Sequence, residues 1–453
     1  MIPCKVTDIC RAVGGTLVQS GADAITGVTT DSRNVTAGDL FVPLVGERFD
    51  GHTYLNSALE KGAEGCLCAK LPETLVEGKF YIQVEDTLTA LRDLAGLYRG
   101  QFAIPVIQVT GSAGKTTTKE MLWAVLSRHG DTLKTLANYN NQIGTPQTLL
   151  RLEKEHWAAV VETGMDHFGD LSWLAPMVRP TVAVITNIGD AHIENMGGTR
   201  LGTLRSKSEI FEGLAADGLA VLNGDDELLN TLQLPFNVVR CGKSEGCDVR
   251  VTEIVDRGID GIDCTVTTKN DTYRLAIPSP GGYMIYPASM AVAIGEHLGL
   301  SHGEIVAGVA DYVSTGSRMR RIRLREERLV VDDCYNANPQ AMREALQILA
   351  NSAAAKKLAV LGDMGELGEL TAEAHRAVGK LTGELGLDAV VAIGPKSADI
   401  AATASGEVYH FLTIEEAMPT VHRLFTAGTA VLVKASHAME FPKIVKELEE
   451  TYP

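Results

Sequence analysis

Apolar residues recur along this chain in short blocks, and the longest of them, such as residues 182–185, are of strand length. Residues 104–109 form one such block and read as a buried strand. It runs into the polar, glycine-containing loop Thr110-Gly111-Ser112-Ala113-Gly114-Lys115-Thr116, and the amphipathic stretch 116–128 predicts a helix after it. Further apolar blocks at 158–161, 182–185 and 219–222 complete a βαβ rhythm, which predicts a parallel sheet. Between 247 and 277 Thr and Val alternate, so a small β section should close this central region. A second α/β unit begins near Arg318, with strands expected at 329–331, 358–361, 389–393 and 430–433. It has the Rossmann-like rhythm but no GxGxxG, so nothing in it argues for NAD. Residues before about 100 carry short strands and turns, punctuated by Asp31-Ser32-Arg33 and by the polar run 46–52. The reading is an α/β fold of three domains, at 1–100, 101–315 and 316–453.

Composition narrows the function classes. With 453 residues, 45% of them hydrophobic and 22% charged, the chain can bury large cores and is not disordered. Its net charge of −16 gives no general attraction to nucleic acid or to an anionic membrane. Anionic substrates must then be held by local cations and helix N-termini. No apolar run reaches the length of a membrane span, and Met1-Ile2-Pro3-Cys4-Lys5 does not open a signal peptide. The eight scattered cysteines lack zinc-site spacing and read as reduced thiols of a cytoplasmic protein.

The loop at 110–116 carries the strongest chemistry. Gly111 and Gly114 let backbone approach a phosphate, N–H groups of the loop and helix start face the anion, Lys115 supplies a cation, and the Thr116 hydroxyl suits Mg²⁺. Val109 stands where the usual GxxxxGK[ST] has its first Gly, so the loop is a shorter GxxGK[ST] form. The alternative is a Gly-rich strand-to-helix turn with no ligand, and the strand–loop–helix context and the spacing together favour the phosphate loop. Glu162 ends an expected strand, where ligands of open α/β sheets sit, and its carboxylate suits Mg²⁺. Asn187 and His192 follow the next strand at the same edge; His192 is read equally as a structural ring and as a metal or phosphate ligand. Lys207, by spacing alone, reads as a solvated surface charge. Asp333, Asn336 and Asn338 follow the strand at 329–331 and could contact a ribose or phosphate, or form a turn and N-cap before Pro339.

Taken together, these segments resemble the Mur ligase superfamily. The loop 110–117, Asn138-Tyr139-Asn140-Asn141-Gln142-Ile143-Gly144-Thr145-Pro146, Thr186-Asn187-Ile188-Gly189 with Ala191-His192, Lys207 with Glu209-Ile210-Phe211, and Asp333 with Tyr335-Asn336-Ala337-Asn338-Pro339 follow in that family's order. The run Leu361-Gly362-Asp363-Met364-Gly365-Glu366-Leu367-Gly368 and the opening run from Asp31 to His52 look like the branch that adds D-alanyl-D-alanine to UDP-N-acetylmuramoyl-tripeptide. The resemblance covers almost the whole chain. It implies an N-terminal UDP-binding domain, a central P-loop-type ATPase domain and a C-terminal Rossmann-like domain. It implies ATP and two Mg²⁺ as cofactors, catalysis by Lys115, Glu162, His192 and Lys207, and a carbamylated Lys207. Metal would then rest on Thr116, Glu162, His192 and the Lys207 carbamate. ATP would contact Gly111, Ser112, Ala113, Gly114, Lys115, Thr116, Thr117, Asn187, Arg318, Asp333 and Asn336. The UDP substrate would meet Ser32, Arg33, Gly46, Asp50, His52, Asn141 and Thr145, and the dipeptide Asn338, Ser436 and His437. A monomeric cytoplasmic enzyme, acting through an acyl phosphate, is expected. The chain departs from the family pattern at Tyr283 and Pro287, where His and Asn are usual, and at Ala435 and His437, where Gly and Arg are common. Two rivals are a folate polyglutamate-type ligase and a catalytically silent nucleotide-binding module.

Overall fold

The computed structural model describes the chain except residues 47–48, 190–192 and 366. It divides into two compact units, residues 1–250 with 289–305, and residues 251–288 with 306–453.

In the first unit the central sheet has the order Thr132–Lys134, Ala158–Glu162, Val106–Thr110, Val182–Ile185, Leu219–Asn223, Asn237–Gly242, every neighbour parallel. Val106–Thr110 and Val182–Ile185 are buried along their whole length, as a parallel strand covered on both faces requires. The strand expected at 104–109 starts two residues later, because Pro105 has no N–H for a sheet ladder. The expected helix runs Lys115–Leu126 and starts on Gly114, whose φ of 79° is left-handed and costs glycine little. Because all these strands are parallel, their carboxyl ends line one edge, and Thr110, Glu162 and the residues after Ile185 come together there. A second sheet in this unit is ordered Thr16–Gln19, Phe80–Gln83, Gly65–Cys68, Asp39–Phe41, Gly27–Thr29. The helix Thr87–Arg99, capped by Asp86, buries Leu91, Leu94 and Tyr98 in a core shared with Ile82 and Leu174.

In the second unit a six-stranded sheet is ordered Arg320–Leu324, Arg328–Asp332, Thr429–Lys434, Lys356–Gly362, Ala389–Ile393, Glu407–Phe411, parallel except for its first pair. The edge strand Arg320–Leu324 was missed from sequence because three arginines interrupt its apolar alternation. The Thr/Val-rich stretch forms the hairpin Ile262–Thr267 and Thr272–Ile277. It packs in this unit, where Arg321 donates to the carbonyl oxygens of Ile259 and Pro278. All eight cysteines are free thiols and six are buried, which suits the reduced-thiol reading. Among the described residues, no helix is long and apolar enough to cross a membrane.

Candidate active site

The phosphate loop is built by the segment that follows Val182–Ile185. Thr186 donates its hydroxyl to the carbonyl of Ala113, and Asn187 grips the same residue twice, accepting from its N–H and donating to its carbonyl. Ser112 N–H donates to the carbonyl of Asn187, and Ser112 Oγ accepts from Gly189 N–H at 2.8 Å. Ile188 N–H in turn donates to Asp226, which is buried. The loop therefore holds its shape through a set of hydrogen bonds with one neighbouring segment. Gly111 shows why its side chain must be absent, since a Cβ there would lie 1.8 Å from Thr186 Oγ1. Lys115 reaches back to the carbonyl of Gly111 at 2.9 Å, across the mouth of the loop.

Glu162 sits beside the first turn of the loop helix. Its Oε1 accepts from Thr116 Oγ1 at 3.1 Å and from Asn140 Nδ2 at 2.8 Å. Its Oε2 is buried and makes no hydrogen bond. A buried carboxylate oxygen without a donor is costly unless something positive meets it. The oxygen-rich pair of Glu162 and Thr116 at the end of a phosphate loop fits a hard divalent cation such as Mg²⁺. Among the described residues no cluster of three His, Cys, Asp or Glu would hold a metal by itself. His192 lies outside the described residues.

Lys207 corrects the surface-charge reading. It lies on the helix Arg200–Ser208 and is 2% exposed. Burial, and then the positive charge of Lys115, pull its ammonium from the ordinary 10.5 down to about 7. Spacing misled because the polar composition of 200–208 suggests a solvated helix, yet Thr203, Leu204, Ser206 and Lys207 are all buried. Thr117, on the first turn of the loop helix, is half-buried.

Other expected residues fall into separate places. In the first unit a crevice of about 840 Å³ is lined by Thr29, Thr30, Asp31, Asn34, Tyr139, Gln147 and Arg151, among others. Arg33 forms a chelate on Asp31, which holds that carboxyl down at about 2. Ser32 offers its carbonyl to Lys61. Asp50 binds His52 and Lys70, which lowers its carboxyl well below the usual range, and His52 Nε2 accepts from Ala69 N–H. Gly46 lies against the ring of Phe49. Asn141 accepts from the N–H groups of Ile143 and Gly144, and Thr145 is buried with its hydroxyl unbonded.

In the second unit Arg318 stacks its guanidinium 3.7 Å from the Tyr335 ring centroid. Asp333 accepts from Met319 N–H and from Lys434, a buried lysine that also donates to the carbonyl of Asn336. Asn338 caps the helix Pro339–Ala350 through Ala341 N–H, so the N-cap reading holds there. Ser436 Oγ accepts from Gly365 N–H, and the His437 ring meets Tyr335 edge-on. Sequence reasoning missed Lys119, Thr186, Asp226 and Lys434 as members of these networks. The signal for Lys119 was available: it shares a helix face with Leu122 and Leu126, where a lysine is out of place.

Comparison with known proteins agrees with this geometry. The chain matches the Mur ligase middle domain over residues 109–295, the Mur ligase glutamate ligase domain over 317–437, and the Mur ligase family catalytic domain over 24–99. It is 35% identical to the UDP-N-acetylmuramoyl-tripeptide--D-alanyl-D-alanine ligase of Bacillus subtilis (strain 168), covering 100% of this chain and 99% of that protein. Among solved structures, MurF from Acinetobacter baumannii has a TM-score of 0.91 at 33% identity, covering 99% of each chain. MurF ligase from Thermotoga maritima, solved in complex with ADP, has a TM-score of 0.80 at 28% identity, covering 94% of this chain and 97% of that one.

Proposed function

The chain belongs to the Mur ligase family, and from that premise we propose that it joins D-alanyl-D-alanine to UDP-N-acetylmuramoyl-tripeptide with turnover of ATP, in the synthesis of peptidoglycan precursors. The observation that carries the reading is the meeting of a preformed phosphate loop with Glu162, whose Oε1 accepts from Thr116 on the first turn of the loop helix while its Oε2 makes no hydrogen bond. A silent nucleotide-binding module would have no use for a buried carboxylate oxygen left without a hydrogen bond there. Full-length similarity to D-alanyl-D-alanine-adding ligases weighs against a folate ligase. The three domains are assigned to 1–100, 101–315 and 316–453, and the matched family segments fall inside those limits. The enzyme acts as a cytoplasmic monomer.

The tripeptide carboxylate attacks the γ-phosphorus, the bond to the ADP oxygen breaks, and an acyl phosphate forms. The dipeptide amine then attacks the acyl carbon, loses a proton, and expels phosphate. The chain's task is to bring two anions together and to hold them in line. Backbone N–H groups of 111–117 and the Lys115 ammonium offset the phosphate charge. Thr116 and Glu162 would hold one Mg²⁺, and His192 with a carbamylated Lys207 a second; bound there, the ions would supply charge neutralisation at the phosphates. An amine held near pKa 7 is partly neutral at neutral pH, so the neutral Lys207 amine can add CO₂, losing one proton and becoming a carbamate whose two oxygens share one negative charge. The UDP portion is assigned to the same unit as the crevice beside Asp31 and Gln147; its candidate contacts Ser32, Arg33, Gly46, Asp50, His52, Asn141 and Thr145 lie outside the lining of that crevice. Arg318, Asn187, Asp333 and Asn336 serve the nucleotide, and Asn338, Ser436 and His437 the dipeptide.

One assay tests this. The enzyme is given ATP, Mg²⁺, D-alanyl-D-alanine and a UDP-tripeptide labelled with ¹⁸O in its terminal carboxylate, once with lysine and once with a diamino acid at the third position. Mass spectrometry should find UDP-pentapeptide and one ¹⁸O in the released phosphate. Product without label in phosphate would replace the acyl phosphate by another route, and no product from either peptide would overturn the substrate assignment.

A further inference from the structure

Lys119 stands in none of the roles above, yet its ammonium lies beside the carboxylate that closes the phosphate site. It is 1% exposed on the helix Lys115–Leu126. Its Nζ donates to the carbonyl of Thr135 at 2.9 Å and pairs with Glu120 Oε1 at 3.0 Å. The same nitrogen is 3.7 Å from Glu162 Oε2, the oxygen that makes no hydrogen bond. Thr135 also fixes Glu162 from the other side, its hydroxyl accepting from Glu162 N–H. Glu120 in turn carries Lys134 on its second oxygen. The result is a group of two lysines and two glutamates with no net charge, buried except for the half-buried Lys134.

A charge at 3.7 Å acts strongly where water is excluded, but the distance is too long to use up a lone pair of Oε2. We propose that Lys119 is a positioning and charge-setting residue for the metal carboxylate: it orients Glu162 and offsets its charge while leaving Oε2 free for the cation. This deepens the assignment of Glu162 as a metal ligand and rests on it. An ion bound by a fully uncompensated buried carboxylate would be held too tightly to leave with ADP. The neutral group keeps the site open to exchange.

The inference makes two predictions of opposite sign. Lys119→Met removes the cation at nearly constant volume, so Mn²⁺ should bind the enzyme–ADP complex tighter, by about threefold or more. Glu120→Gln removes the competing anion and leaves the Lys119 charge to act on Glu162 alone, so Mn²⁺ should bind weaker by about the same factor. Lys119→Arg should restore the wild-type affinity. Binding is read by electron paramagnetic resonance of free Mn²⁺ and by calorimetry, with the thermal midpoint and metal-free ADP affinity as controls for damage to the fold. A structural lesion would weaken binding in both variants. Unchanged or weakened binding in Lys119→Met overturns the inference. If Lys119→Met does not fold, unchanged or tightened binding in Glu120→Gln overturns it alone. A wild-type enzyme that binds ADP with no dependence on Mn²⁺ overturns the metal assignment of Glu162 as well.

Discussion

Thr116 donates its hydroxyl to Oε1 of Glu162 at 3.1 Å, so the first turn of the phosphate-loop helix and the end of a neighbouring strand meet at one atom. The contact is possible because parallel pairing sets Glu162 level with Val109, just before the loop. Glu162→Gln tests what the charge contributes. A glutamine keeps an oxygen to accept from Thr116 and Asn140, so the local bonds survive and only the anion is lost. The turnover number should fall by about 10²–10³. The Mg²⁺ needed for half-maximal rate should rise, with the thermal midpoint little changed. A variant with normal Mg²⁺ dependence would remove Glu162 from the metal site.

Lys115→Ala deletes a cation that bridges the loop to the Gly111 carbonyl and fills no core volume. Ligation should drop by roughly 10²–10³ or more, as for loss of one preorganised electrostatic group. Circular dichroism should match the parent. Near-normal turnover at saturating ATP would refute the assignment of the loop to phosphate.

Gly111→Ala drives a methyl into Thr186, which itself anchors the loop at the Ala113 carbonyl. The strain should cost about 1–3 kcal/mol and displace the loop. ADP binding, read by calorimetry, should weaken at least about tenfold, given that each 1.4 kcal/mol is a factor of ten. Gly246→Ala is the matched control, because a Cβ there meets nothing within 4 Å. Equal ADP affinity in the two variants would contradict the steric argument.

The loop, the central strands and Glu162 were legible in the sequence because each obeys a local rule: apolar blocks make buried strands, and a parallel sheet puts polar residues at its carboxyl edge. What was not legible was depth. Nothing in Ser206-Lys207-Ser208 says that the lysine is buried, since its burial comes from elements distant in sequence; Met165, which accepts from the Ser206 hydroxyl, lies 41 residues away. The Arg320–Leu324 strand was hidden for a related reason, as its arginines bond to distant acceptors, Ile259 and Pro278 among them. Asn338 was readable both ways, as a ligand contact or as an N-cap before Pro339, and the structure shows the cap on Ala341.

Lys207 yields the last prediction, and it separates stability from catalysis. Its pKa is about 7 in the folded chain and 10.5 when exposed, so between those values the unfolded chain binds more protons. Stability from this group therefore rises with pH from about 7 towards 10.5, and the penalty is fully present below 7. Lys207→Met removes the penalty. In CO₂-free buffer at pH 6 it should unfold at higher denaturant than the parent, by a difference on the order of a few kcal/mol that shrinks as pH approaches 10. The same change should abolish ligation, because it removes the amine that takes up CO₂. Lys207→Ala should also be inactive but should regain part of its rate with added acetate, whose carboxylate can occupy the carbamate's place. Lys207→Arg should not respond, because its positive side chain fills that space. If the bicarbonate-free and bicarbonate-supplied parent enzymes turn over at the same rate, and Lys207→Ala needs no acetate, then Lys207 is a buried structural amine and the carbamate assignment fails.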